Sequence, residues 1–192
     1  MGVYRLLKEL KSANLRAVFA VNGVLLQHKR ALIDMIIEDG HEIAAHGWDT
    51  DSIHWSGLDR DLEASFVRRT RDAFAAMGLT PRTWMSPARQ QSAHTPDLIK
   101  AAGFDVCLDW ESDGVPWAMR TDHGPLTCVP LSNELDDRKL LIEQRHSEAQ
   151  WRDQSLPRAT IWLKRAPLWR ASPVVYPDPL YQRSAVPDLG FA

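Results

Sequence analysis

The feature that most limits what this chain can fold into is a regular alternation of short apolar runs with longer stretches of helical periodicity. Runs at residues 16–23, 41–45, 82–86, 104–108 and 126–130 are short, apolar at their centres and followed by polar residues, so they read as buried strands. Residues 24–38, 58–77 and 95–102 carry apolar side chains three and four apart, and residues 3–12 do the same with Tyr4, Leu6, Leu7 and Leu10. Gly40 closes the segment 24–38, and acidic Asp59, Asp61 and Glu63 open the segment 58–77, in the order the helix dipole favours. Strands alternating with helices imply an α/β fold with a mainly parallel sheet or a barrel. Two more helices are expected at 136–145 and 147–165, the second kinked or restarted at Pro157. Five of the 12 prolines lie between Pro167 and Pro187. The expected organisation is one domain over residues 1–166 and a proline-rich tail over 167–192, with a last strand at 172–176 and irregular chain beyond it.

Size and charge narrow the function. A chain of 192 residues suits a single domain with a sizeable core. A net charge of -2 gives no general attraction to phosphate backbones or acidic membranes, so neither nucleic acid nor a membrane is an expected partner. No apolar run reaches membrane-spanning length, and no signal peptide opens the sequence. Cys107 and Cys128 sit inside apolar runs as buried thiols, which fits a reducing cytoplasm.

Each proposed strand stops on polar residues: Asn22, then His46, then Ser86 with Arg89, then Asp109 with Glu111, then Asn133 with Glu134. In a β/α barrel those ends share one rim, and imidazole, guanidinium and carboxylate gathered there are the raw material of acid–base hydrolysis. His46, beside Gly47, has room to reach substrate or metal. Arg89 suits developing negative charge, Asp109 suits orienting that arginine or relaying a proton, and Glu134 is a further acid at the rim. Trp48, Trp84 and Trp110 fall in or beside the same endings, where indole faces either stack on a sugar or plug the barrel. His54 lies eight residues after His46; along one helix the rings would stand ~12 Å apart, so shared metal ligation needs a folded-back loop.

The ordered motifs Arg16-Ala-Val-Phe-Ala-Val-Asn-Gly23, Gly40-His-Glu-Ile-Ala-Ala-His46-Gly-Trp, Trp84-Met-Ser-Pro-Ala-Arg89 and Ala102-Gly-Phe-Asp-Val-Cys-Leu-Asp-Trp110 resemble the polysaccharide deacetylase family, the NodB-homology domain, and within it the allantoinase-like branch. The resemblance spans residues 3–165 and implies a distorted (β/α) barrel of fewer than eight strands. It also implies hydrolysis of a non-peptide C–N bond, in an N-acetyl amino sugar or a small cyclic amide. In the metal-dependent members an Asp-Asp pair on the first strand and two histidines four apart surround the metal, and a later histidine is the acid.

This chain departs from that pattern. Its sequence opens where the helix after the first strand is expected, so the first strand and its Asp-Asp are missing. His46 matches the first metal histidine, Thr50 stands at the second, Met85 occupies the usual arginine position, and Tyr176 falls where the acid histidine would be. The expectation is therefore a deacetylase or cyclic amidase, active or inactivated by truncation, with a non-catalytic carbohydrate- or small-molecule-binding relative as the alternative. A divalent metal such as zinc at His46 and His54, or metal-independent chemistry, are both open at this level. A barrel without its first strand exposes unpaired edges, which favours a homo-oligomer.

Overall fold

The computed structural model describes residues 2–112 and 114–157. The strand expected at 172–176 and the proline-rich tail lie outside the described residues. The chain divides into two compact units: residues 1–109 with 119–128, and residues 110–118 with 129–192.

In the first unit, helix α1 (Gly2–Ser12) leads into strand β1 (Val18–Val21), helices α2 (Gly23–His28) and α3 (Arg30–Glu38), and strand β2 (Glu42–Ala45). Helix α4 (Arg60–Ala76), strand β3 (Thr83–Trp84), helix α5 (Thr95–Ala101) and strand β4 (Val106–Cys107) follow. Strands β5 (Trp117–Thr121) and β6 (Gly124–Cys128) complete a six-stranded sheet in the order β1-β2-β3-β4-β6-β5. The first four strands run parallel in chain order, and β6 continues the parallel set beside β4. The architecture is the expected α/β type with fewer than eight strands, and the sheet among the described residues is open, with β1 and β5 outermost.

Burial explains the composition of the strands. A parallel strand covered on both faces is expected to be largely apolar, and in β2 Ile43, Ala44 and Ala45 are all buried, while Glu42 at its start is half-buried and accepts the Thr83 hydroxyl. Leu26, Ile33, Ile36, Val67, Phe74, Ile99 and Phe104 supply the helical side of the core. α4 begins where Asp59 accepts hydrogen bonds from the Asp61 and Leu62 amides, a side-chain cap that satisfies two otherwise orphaned donors. Gly47 adopts φ +65°, and a Cβ there would lie 2.7 Å from Pro87 Cγ, so the turn after β2 requires glycine both for its backbone and for its neighbour.

Several expectations need correction. The single helix over 24–38 is two, separated by Lys29 at φ -130°, ψ 33°. Leu26 and Ile33 are seven residues apart, a spacing that suits one continuous helix equally well, so periodicity hides the break. β5 was not anticipated; its residues are alternately half-buried and exposed, and a turn closed by the Thr121 hydroxyl on the Gly124 carbonyl (2.6 Å) joins it to β6. α1 buries Leu7 fully, while Tyr4 and Leu6 are exposed rather than core.

The second unit has less regular structure. The helix expected over 136–145 is a 3-10 turn at Asn133–Leu135 followed by a wide π-type turn at Arg138–Glu143, and residues 148–157 are helical up to Pro157. Leu140 is fully buried, and the Trp151 indole donates to Asp137 (2.8 Å). No helix among the described residues is long and apolar enough to cross a membrane.

Candidate functional site

The C-terminal ends of the first four strands are tied to one another by polar contacts. The Asn22 side-chain amide, just past β1, donates to the His46 carbonyl just past β2 (2.5 Å), while the His46 amide donates to the Val21 carbonyl (2.9 Å). The amides of Gly23 and Val24 donate to the carbonyls of Gly47 and Trp48, which fixes the loop carrying His46 against the start of α2.

His46 and Asp109 meet on a single peptide group. His46 Nδ1 lies 2.8 Å from the Met85 carbonyl oxygen, and the Ser86 amide of the same peptide donates to Asp109 Oδ1 at 2.8 Å. A carbonyl oxygen can only accept, so Nδ1 carries the proton, and in the neutral ring Nε2 keeps its lone pair. The ring is half-buried. A carboxylate pulling on the amide proton also makes the carbonyl of that peptide a better acceptor, because hydrogen bonds in a chain polarise one another.

Asp109 is buried, and its carboxylate is well supplied with donors. Oδ2 accepts from the Gln91 side-chain amide, and the Cys107 thiol stands 3.5 Å from it. Cys107 and Cys128 are register partners on β4 and β6. A hydrogen bond with Cys128, burial and the Asp109 charge together hold the Cys107 thiol well above its ordinary pKa, so the sulfur stays protonated and can donate. Arg89 Nη2 donates to the Asp109 backbone carbonyl (3.3 Å), so the pair meets through main chain at this contact. Ala88 and Arg89 both have φ 54°, a left-handed conformation that costs a non-glycine residue roughly 1–2 kcal/mol and is held by the Ser86 and Pro87 carbonyls on the amides of Arg89 and Gln90. Strain of this kind concentrates where a side chain must be aimed.

The remaining expected residues are placed as follows. Trp84 is 0% exposed, its indole donating to the Ser86 hydroxyl (2.8 Å) and tilted against Phe104, so it packs the core and cannot stack on a ligand. Trp48 has one part of its ring against Gly23, where a Cβ would come within 3.0 Å, and the Arg69 guanidinium 3.7 Å from its centroid. Its ring is occupied by protein on both counts, and the cation–π contact steadies the loop. Asp49 beside it closes a turn on the Asp51 and Ser52 amides; burial raises its pKa, but these bonds and the Arg69 charge outweigh that and leave it lowered. Trp110 and Glu134 belong to the second unit, where both are exposed and the Glu134 amide donates to the Ser132 hydroxyl (3.3 Å).

His54 is fully buried, edge-on to Trp84 and Phe66, with Nδ1 2.8 Å from Glu63 Oε1. Sequence reasoning passed over Glu63, because an acidic residue in the first turn of a helix is explained by the dipole alone. Its signal was its register: it shares the apolar face of α4 with Val67, Thr70 and Phe74. A metal is implied by the family resemblance, and the described donors do not fit one. Thr50 offers no imidazole, His54 is fully buried against Trp84 and Phe66 with Glu63 on Nδ1 and no hydrogen-bond partner on Nε2, and no group of three or more His, Cys, Asp or Glu among the described residues is placed to hold an ion.

Comparison with known proteins identifies the family and the fold. The sequence model described as polysaccharide deacetylase matches residues 2–107. The peptidoglycan-N-acetylglucosamine deacetylase PgdA of Listeria monocytogenes is 23% identical over 140 residues, covering 73% of this chain and 29% of its own length. Among solved structures, a Mycobacterium smegmatis protein assigned to the polysaccharide deacetylases superposes with a TM-score of 0.72 at 25% identity, over 84% of this chain and 59% of its own. The allantoinase PuuE has the same fold, with a TM-score of 0.73 at 19% identity over 84% of this chain and 54% of its own. The chain thus spans under a third of the Listeria enzyme and between half and two thirds of the two structures.

Proposed function

The chain belongs to the polysaccharide deacetylase family, and on that premise we propose that it hydrolyses a non-peptide C–N bond, with the N-acetyl group of an amino sugar as the first substrate class and a small cyclic amide as the second. The observation that carries the reading is the peptide shared by His46 and Asp109, which leaves the Nε2 lone pair of His46 available as a base.

On this reading His46 Nε2 takes a proton from water as its oxygen attacks the amide carbonyl. Arg89 faces the negative charge that develops on the carbonyl oxygen. Collapse breaks the C–N bond, and the amine leaves with the proton from His46. Asp109 does not touch the reacting atoms; it holds Ser86 and Gln91, and through the shared peptide it holds the imidazole.

A second reading, a non-catalytic carbohydrate- or small-molecule-binding relative, is favoured by Thr50 at the position of the second histidine and by the full burial of His54 against Trp84 and Phe66. The discriminating experiment measures acetate release from N-acetylglucosamine oligomers, and ring opening of cyclic ureides, with and without added zinc. Turnover that falls at least a hundredfold in His46→Ala, as loss of a general base predicts, supports the hydrolase. Oligosaccharide binding by calorimetry with no turnover under any condition replaces it with the binder.

A further inference from the structure

Glu63 and Asp109 are the buried carboxylates among the described residues, and only Asp109 takes part in the site as described so far. A buried anion costs several kcal/mol unless donors surround it. Glu63 has three: His54 Nδ1 at 2.8 Å, the Ser92 hydroxyl at 2.5 Å and the Thr95 hydroxyl. Burial pushes its carboxyl up, yet the hydrogen bonds from His54, Ser92 and Thr95 and the neighbouring imidazole outweigh that and hold it below the usual range.

The consequence lies in where those hydroxyls point. Each carries one proton, and giving it to Glu63 leaves only lone pairs for the backbone. The Ser92 oxygen accepts the His94 amide (2.9 Å), and the Thr95 oxygen accepts the Ser92 amide (2.8 Å). One carboxylate therefore sets the direction of both hydroxyls and fixes the chain from residue 92 to the start of α5. Gln91 is the next residue back, and its side-chain amide reaches Asp109 Oδ2 and the Cys107 sulfur (3.3 Å). Asp109 in turn holds the peptide on which His46 rests.

We propose that Glu63 is a positioning residue: its carboxylate locks residues 92–95 so that the Gln91 amide stays on Asp109 and His46 stays on the Met85 carbonyl. The proposal rests on His46 being the working base, but its geometry is testable without activity. A glutamine at 63 would keep one oxygen but replace the other with an NH2 group, so the donors on that side, either Ser92 or the Thr95–His54 pair, would lose their acceptor, and the hydroxyl there must redirect its proton and loosen its hold on residues 92–95.

In the 15N-labelled full chain, the Gln91 side-chain amide proton on Asp109 is expected downfield and slow to exchange. Glu63→Gln is expected to speed that exchange about tenfold while the amides of β2 and β3 keep their protection, a local loosening rather than global unfolding. An unchanged Gln91 amide overturns the proposal. Should Glu63→Gln not fold, Ser92→Ala gives the same reading with the carboxylate intact, and an unchanged Gln91 amide there overturns it equally. With turnover as the readout, Glu63→Gln and Gln91→Met should each lower kcat by about tenfold to a hundredfold, and the double variant should be no worse than the more damaged single one. Losses that multiply overturn the proposal. Absence of turnover in the wild-type chain counts against the hydrolase reading alone, and the Gln91 amide then decides the positioning role.

Discussion

The middle of the sheet and its β1 margin use similar residues to opposite ends. In β2, β3 and β4 nearly every side chain is buried, and the strand ends are stitched by Asn22, His46, Ser86 and Asp109. At the margin, Val18 is 44% exposed, Leu15 50% and Tyr4 53%, and among the described residues β1 pairs on one side only, with β2. The difference teaches that apolar character alone does not say whether a strand is central. What distinguishes β2 is that it pairs on both sides, with β1 and β3, whereas β1, unpaired on its other side among the described residues, offers donors and acceptors there to an extended partner.

The contrast can be broken most severely at Trp84, which is 0% exposed between His54 and Phe104. Trp84→Ala should cost about 3–5 kcal/mol in urea unfolding, and a loss under 1 kcal/mol would mean that the middle of the sheet is not the stabilising region. A smaller effect is expected from pH. The folded-state pKa of Glu63 is lowered, so its contribution is complete above the ordinary glutamate value of about 4.3 and disappears as pH falls through the folded value. The stability gap between wild type and Glu63→Gln should therefore be widest near neutrality and close in acid; a gap that stays constant through the acid limb contradicts this assignment. The smallest change in stability, within about 0.5 kcal/mol, is expected for Val18→Lys at the margin. Its effect should instead appear in sedimentation. We propose that copies associate through the β1 edge, so a charge there should shift the population toward monomer, and a wild-type chain that sediments as monomer at all concentrations would sink that proposal.

Much of the fold was legible because parallel strands buried on both faces leave short, largely apolar runs, and the five strands anticipated within the described residues exist, four trimmed at their ends and the fifth shifted two residues toward the N-terminus. β5 escaped because no residue in it is fully buried, so the run lacks the density that marks its neighbours. The rim was legible in outline: His46, Arg89 and Asp109 do sit on linked strand ends. What linear sequence could not reveal is which polar groups face inward. Trp84 points into the core while Trp110, one residue past Asp109, is exposed, and neither spacing nor residue type separates them. Likewise the pairing of Glu63 with His54, Ser92 and Thr95 depends on tertiary folding across residues up to 32 apart.

The link from Asp109 to His46 is carried by main chain, through the Met85–Ser86 amide. The link itself asks nothing of either side chain, since every ordinary residue supplies the same N–H and C=O, although Ser86, fully buried against Trp84, leaves room only for a small one. Proline at position 86 is the exception among encoded substitutions, because it alone lacks the proton that the acid receives. Sequence drift at Met85 is thus a poor guide to whether the histidine is still supported; the link depends on the acid and the imidazole at its ends and on an N–H at position 86.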